Sequence, residues 1–185
     1  MVVITIDGNI GSGKSTQIDL LSSKYMVKKE PIDKWPLKEF YEDPSRWAFL
    51  LQVVILQTMR KPEGDGINIT ERSPYSTRDV FWKNLHESGT ITDTEYHTFM
   101  EEHRIRSWFP EVVIYLRTGA EQCREHIKKR EQAGDFGVTP EYLGKLEKLY
   151  DQSHASWGEH VEVVNGNQSI ENVHKDIMTI LTKYE

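Results

Sequence analysis

With one cysteine, Cys123, among 185 residues, the chain can form no internal disulfide and no cysteine-based zinc site, as befits a reducing compartment. Its seven histidines stand at no H-x-x-x-H or other ligand spacing, so zinc is not expected from them either. Basic residues are outnumbered, 23 Lys and Arg against 29 Asp and Glu, and a net charge of −6 lacks the basic face that a nucleic-acid partner needs. No apolar run approaches the length of a membrane span, and no charged-then-apolar leader precedes the first strand candidate, so a cytoplasmic location is expected. Repeats and low-complexity tracts are absent as well. A chain of 185 residues suits one domain, 1–185, with a sizeable core.

What is there begins at the N-terminus. Gly8-Asn9-Ile10-Gly11-Ser12-Gly13-Lys14-Ser15 is a complete G-x-x-x-x-G-K-S phosphate loop, and it follows directly on the apolar run Val2–Ile6. Its glycines let the chain curl until successive backbone N–H groups aim at phosphate oxygens, and the helix that starts near Lys14 adds the positive end of its dipole. Lys14 is expected to reach the β- and γ-phosphates of ATP and Ser15 to hold Mg²⁺, with Thr16 counted among the nucleotide contacts. The open question is what receives the phosphate.

Further strand candidates are Tyr25–Lys29, Ile67–Thr70, Val112–Leu116 and Val161–Val164, the first of them weak. Helical patterns lie between them: after Lys14, about 45–59, 74–87, 93–107, 120–131, 140–156 and 169–182. This alternation predicts an α/β protein with a five-stranded parallel sheet and helices on both faces. Ligands of such sheets sit beyond the carboxyl ends of the strands. The helix over 45–59 is apolar nearly all round, so a substrate pocket or a subunit interface is expected to cover what the core does not.

Two carboxylates fall at that edge. The third strand ends Thr70-Glu71-Arg72-Ser73, where Glu71 can hold the waters of Mg²⁺ and Arg72 can clamp phosphate oxygens with its planar fork. The second ends at Glu30-Pro31, which makes Glu30 the candidate base for an attacking hydroxyl. Without the phosphate loop both would read as ordinary solvated strand ends.

Together these pieces resemble the deoxyribonucleoside kinase family, from Val2 to about Leu149: the phosphate loop, Glu30-Pro31 with Lys34-Trp35, Tyr41-Glu42-Asp43-Pro44, Trp47 with Gln52, Glu71-Arg72-Ser73 with Tyr75-Ser76, Ile114-Tyr115-Leu116-Arg117, and Pro140-Glu141-Tyr142-Leu143. The resemblance implies the P-loop kinase fold, Glu30 as base for the sugar 5′-hydroxyl, Arg72 as the phosphate-positioning arginine, and Glu71 in the Mg²⁺ shell. It also implies that Tyr41 bonds the sugar 3′-hydroxyl, that the Gln52 amide pairs with the base edge, and that Trp35 and Phe81 wall the base. The family's purine and deoxycytidine kinases carry an arginine–aspartate pair where this chain has Met59 and Thr77, so the resemblance implies a pyrimidine-preferring pocket with Ile55 and Met59 as its apolar wall. Thymidine is then the first expected substrate and deoxycytidine the second. A homodimer is implied in the same way.

Lys128-Lys129-Arg130 is read as the basic start of a short lid over about 126–138, with Lys128 and Arg130 touching ATP, and the resemblance implies that Asp135 lies near the sugar. The lid departs from the family in holding His126 and Gln132 where arginine is usual. Asn165-Gly166-Asn167 is expected to border the adenine, and Arg104 and Arg106 receive no role. A thymidylate-type monophosphate kinase is the nearest rival, although a phosphorylated acceptor needs no carboxylate base. A nucleotide-dependent switch is disfavoured by the absence of an Asn-Lys-x-Asp segment and of a terminal aspartate on the strand before Glu71.

Overall fold

The computed structural model describes residues 1–130 and 137–185. Strand β1 (Val2–Asp7) leads through the phosphate loop into α1 (Lys14–Leu21), and β2 (Met26–Lys28) follows. A 3₁₀ turn (Ile32–Lys34) precedes α2 (Leu37–Glu42) and the long α3 (Pro44–Thr58). After β3 (Ile67–Glu71) come α4 (Pro74–Ser76), a π-helical stretch (Thr77–Trp82) and α5 (Lys83–Glu87), run together as one rod. The chain continues through α6 (Asp93–Arg106), β4 (Val112–Arg117), α7 (Ala120–Arg130), α8 (Pro140–Ser153), a 3₁₀ turn (His154–Ser156), β5 (Val161–Asn165) and α9 (Ile170–Leu181).

All five strands are parallel, in the order β2-β3-β1-β4-β5. The expected sheet is therefore present, and alternation along β4 shows both of its faces covered. Val112, Ile114 and Leu116 join Ile18 of α1 and Val173 and Ile177 of α9 in one core, while Val113 and Tyr115 join Leu146, Leu149 and Tyr150 of α8 in another. A third core packs α3 against α5 and α6 around Trp82 and Phe99. On α3 that packing takes Ala48, Leu51, Ile55 and Leu56, and Leu50 stays 46% exposed. Among the described residues no helix is long and apolar enough to cross a membrane. Cys123 is buried, and burial pushes its thiol up to about 12.

The strand order fixes where ligands can go. The chain leaves β1 towards β2 and leaves β3 towards β4, in opposite directions, so the crevice opens beyond the carboxyl ends of these two neighbours. Asp7 and Gly8 emerge at one side of it and Glu71 and Arg72 at the other.

Helix ends are set locally. Thr92 and Glu95 form a reciprocal capping box at the start of α6: the Thr92 hydroxyl accepts from the Glu95 N–H at 3.2 Å, and the Glu95 carboxylate accepts from the Thr92 N–H at 2.7 Å. Thr92→Ala is expected to destabilise the fold by about 1 kcal/mol in urea unfolding, with an unchanged denaturant slope.

Candidate active site

Close approach explains two of the loop's glycines, Gly8 and Gly11. A Cβ at Gly8 would stand 2.7 Å from the Leu116 carbonyl oxygen, and one at Gly11 would stand 2.5 Å from that of Cys123, with the Gly11 backbone at φ 78°. The loop is thereby pressed between β4 and α7. Lys14 turns back over it and donates to the carbonyls of Gly8 (3.1 Å) and Asn9 (2.8 Å). Burial, and then the Arg72 charge, lower its pKa to about 8, so a polyanion arriving at the loop would favour its charged form.

One cavity borders the loop on the α7 side. It is lined by 11–17, by His126, Lys129 and Arg130 of α7, by Gly166 and Gln168 after β5, and by Ile170 at the start of α9, so Thr16 borders it and, of 165–167, Gly166 alone does. Three expectations change here. Gly8 and Asn9 do not line it: their carbonyls hold Lys14, and the Asn9 amide donates to the Leu143 carbonyl at 3.0 Å. Ile10 opens instead onto the second cavity. Lys128 also lies outside, because it sits one helical turn from Glu125 and pairs with it at 2.7 Å on the outer face of α7. Lys129 lines the cavity instead, and His126 bonds the Gly11 carbonyl oxygen at 2.8 Å. Asp135 falls outside the described residues, as does the rest of 131–136 in the expected lid.

At the sheet edge the two glutamates and Arg72 come together. The Ser15 hydroxyl donates to Glu71 Oε1 at 2.5 Å, and the Glu30 backbone N–H reaches Glu71 Oε2 at 3.4 Å. The paired oxygens of Ser15 and Glu71 fit a hard cation carried on phosphate, which needs few protein ligands. Among the described residues no cluster of three His, Cys, Asp or Glu side chains offers a protein cage. Arg72 donates from Nε to Glu30 Oε1 at 2.6 Å, lies over the Phe81 ring at 4.5 Å, and gives Nη1 to the Tyr150 hydroxyl at 2.5 Å and to the Gly8 carbonyl at 3.3 Å. Burial raises the Glu30 pKa against the opposing pull of Arg72, which makes its carboxylate a better proton acceptor than an exposed one.

Behind Arg72 lies a carboxylate to which the sequence drew no attention. Asp7 is fully buried and accepts from the Gly8 N–H (2.9 Å), the Tyr150 hydroxyl (3.0 Å), the Ser73 N–H (3.0 Å) and the hydroxyls of Ser73 (2.7 Å) and Ser76 (2.8 Å). Asp7 stands just before the loop and was readable as an acid at a strand end. Tyr150 carries no local signal at all.

The second cavity runs from Glu30 and Arg72 inward. Trp35, Phe40, Tyr41, Gln52, Ile55, Thr77, Phe81 and Tyr142 line it, so most of the expected acceptor residues are brought together. Trp35 is fixed by its indole N–H on the Thr58 hydroxyl at 2.9 Å. Gln52 is 3% exposed, and its Oε1 has no hydrogen-bond partner. Met59 departs from expectation. It ends α3 behind the cavity and receives the Thr77 hydroxyl on its sulfur at 3.6 Å, so Ile55 forms the apolar wall and Thr77 alone of that pair reaches the lining. The two cavities share Gly11, Lys14, Ser15 and Arg130.

The fold and a phosphate loop set between two cavities define a P-loop kinase. A family model described as deoxynucleoside kinase matches residues 4–184. The chain is 33% identical over 172 residues to a probable deoxycytidine kinase of fowlpox virus, covering 85% of this chain and 73% of the relative. It is 31% identical to the mitochondrial thymidine kinase 2 of Homo sapiens, covering 81% of this chain and 63% of that one. A solved structure of a deoxyadenosine kinase from M. mycoides, with dCMP and dCDP bound, superposes with a TM-score of 0.86 at 25% identity over 100% of both chains. The chain belongs to the deoxynucleoside kinase family and is a kinase.

Gly137 needs no unusual backbone angle, yet a Cβ there would overlap the Tyr41 ring, 1.8 Å from Cδ1. Gly137→Ala is expected to displace that ring and raise KM for the nucleoside acceptor severalfold, leaving KM for ATP within about twofold in initial-rate assays.

Proposed function

We propose that this chain, working as one unit over 1–185, transfers the γ-phosphoryl group of ATP to the 5′-hydroxyl of a pyrimidine deoxyribonucleoside, thymidine first and deoxycytidine second. The observation that carries this reading is Gln52: a buried amide with an unpartnered oxygen, set in an aromatic cavity whose mouth holds Glu30 and Arg72. A buried amide oxygen without a partner is costly, and the edge of a nucleobase offers the donor it lacks.

In this reading the nucleoside lies with its base between Trp35 and Phe81, its edge on Gln52 and its 3′-hydroxyl towards Tyr41. Glu30 accepts the proton of the 5′-hydroxyl as that oxygen bonds to the γ-phosphorus. The bond from the γ-phosphorus to its bridging oxygen breaks, and ADP leaves. Lys14 and Arg72 carry the charge on the transferring group. Mg²⁺, bound with the triphosphate, would be held by Ser15 and Glu71 and neutralise phosphate charge. Lys129 and Arg130 take the lid role on the donor side. Thymidine comes first because Ile55 and the neutral Met59–Thr77 contact offer no charged partner to a purine edge. Two copies pairing through the exposed Leu50 side of α3, in the cytoplasm, complete the proposal.

A coupled ADP-release assay with Mg-ATP tests it, run on thymidine, deoxycytidine, deoxyadenosine, deoxyguanosine and thymidine monophosphate. Turnover is expected on the pyrimidine nucleosides, with Glu30→Gln lowering kcat by about 100-fold or more. Turnover confined to the monophosphate would falsify the base assignment and favour a thymidylate-type kinase.

A further inference from the structure

Arg72 is the only non-glycine residue at positive φ among the described residues, with φ 65°. An arginine rarely adopts that conformation, and it persists only where surrounding contacts fix it. Glu30 accounts for Nε, and Phe81 supports the guanidinium face. The end of the fork that bears Nη1 is held from the opposite side of the site by Tyr150 of α8.

The donor and acceptor roles there are forced. Asp7 is a carboxylate with two accepting oxygens, so at 3.0 Å the phenol must donate to it. Having given its proton to Asp7, the same oxygen can only accept from Arg72 Nη1, at 2.5 Å. The hydroxyl therefore has one orientation, and it ties the guanidinium to the end of β1. The ring beneath it is locked as well: it stacks on Tyr115 at 5.5 Å and meets Trp157 and Phe81 edge-on at 5.6 and 6.4 Å. Tyr150 itself lines neither cavity, so it meets the site only through Arg72 and Phe81.

We propose that Tyr150 is a positioning residue for phosphoryl transfer, its hydroxyl relaying the fixed place of Asp7 to the Arg72 guanidinium. The proposal rests on the reading of Arg72 as the clamp on the transferring phosphoryl group. Without the hydroxyl, Nη1 keeps only its longer contact to the Gly8 carbonyl at 3.3 Å and the fork can shift about Nε, whereas the 2.5 Å bond to Tyr150 makes the guanidinium present a single edge to the phosphate. Orientation of this kind is felt in the transition state more than in the bound substrates, so the effect belongs in kcat.

The test is a double-mutant cycle on kcat with Tyr150→Phe, Arg72→Lys and the pair together, accompanied by KM for ATP and nucleoside and by thermal melting. Phenylalanine keeps the stacked ring and removes only the hydroxyl. We expect Tyr150→Phe to lower kcat on the order of tenfold with both KM values within about twofold. In the Arg72→Lys background the same change should have almost no further effect on kcat, because the group through which it acts is gone. Unchanged kcat in Tyr150→Phe, or losses that multiply in the double variant, would overturn the proposal and leave Tyr150 a core residue whose loss shows only in melting. An unimpaired Arg72→Lys enzyme would remove the clamp itself and the relay with it. The acceptor assay and Glu30→Gln report on the reading beneath independently of either result.

Discussion

The site depends on a single buried charge. Asp7 ends β1 with no exposure to solvent, where an unpaired carboxylate would be prohibitively costly. Five donors satisfy it, and they come from the phosphate loop, the exit of β3, α4 and α8. Each of these segments is thereby referred to the same point. The carboxyl ends of two neighbouring strands, which the sheet order alone would leave merely adjacent, become one rigid frame. Arg72 is the product of that frame: it follows β3 in a left-handed conformation, with Glu30 on one side and Tyr150 on the other.

Around this frame the loop acts as a partition. Its glycines let β4 and α7 press against it, and Lys14, Ser15 and Gly11 then face both cavities at once. A triphosphate on one side and a hydroxyl on the other would meet over Lys14 without either having to cross the sheet. The charges at this meeting point are all buried, and burial is the main reason that Lys14 rests with a lowered pKa and Glu30 with a raised one.

The fold was legible because its strands are short apolar runs with helical patterns between them. The phosphate loop and the acidic strand ends at Glu30 and Glu71 were legible because each is a local pattern with a chemical reason. What stayed hidden needed three dimensions. Helix α2 is six residues long and flanked by Pro36 and Pro44, too short for a period to show. The π-helical stretch Thr77–Trp82 looks in sequence like a plain helix. Lys128 and Lys129 are adjacent, and only the rotation of α7 decides which faces the loop. Tyr150 reaches Asp7 across 143 residues of chain, and no motif records such a contact.

The central claim is that two cavities meet across one phosphate loop, one for the donor nucleotide and one for a pyrimidine nucleoside. The most direct measurement is inhibition by adenosine and thymidine joined 5′ to 5′ through a polyphosphate chain. Competition against both ATP and thymidine is predicted, with affinity well beyond that of either half alone. Competition against ATP with no competition against thymidine would contradict the account, since it would mean that the aromatic cavity around Gln52 does not receive the acceptor.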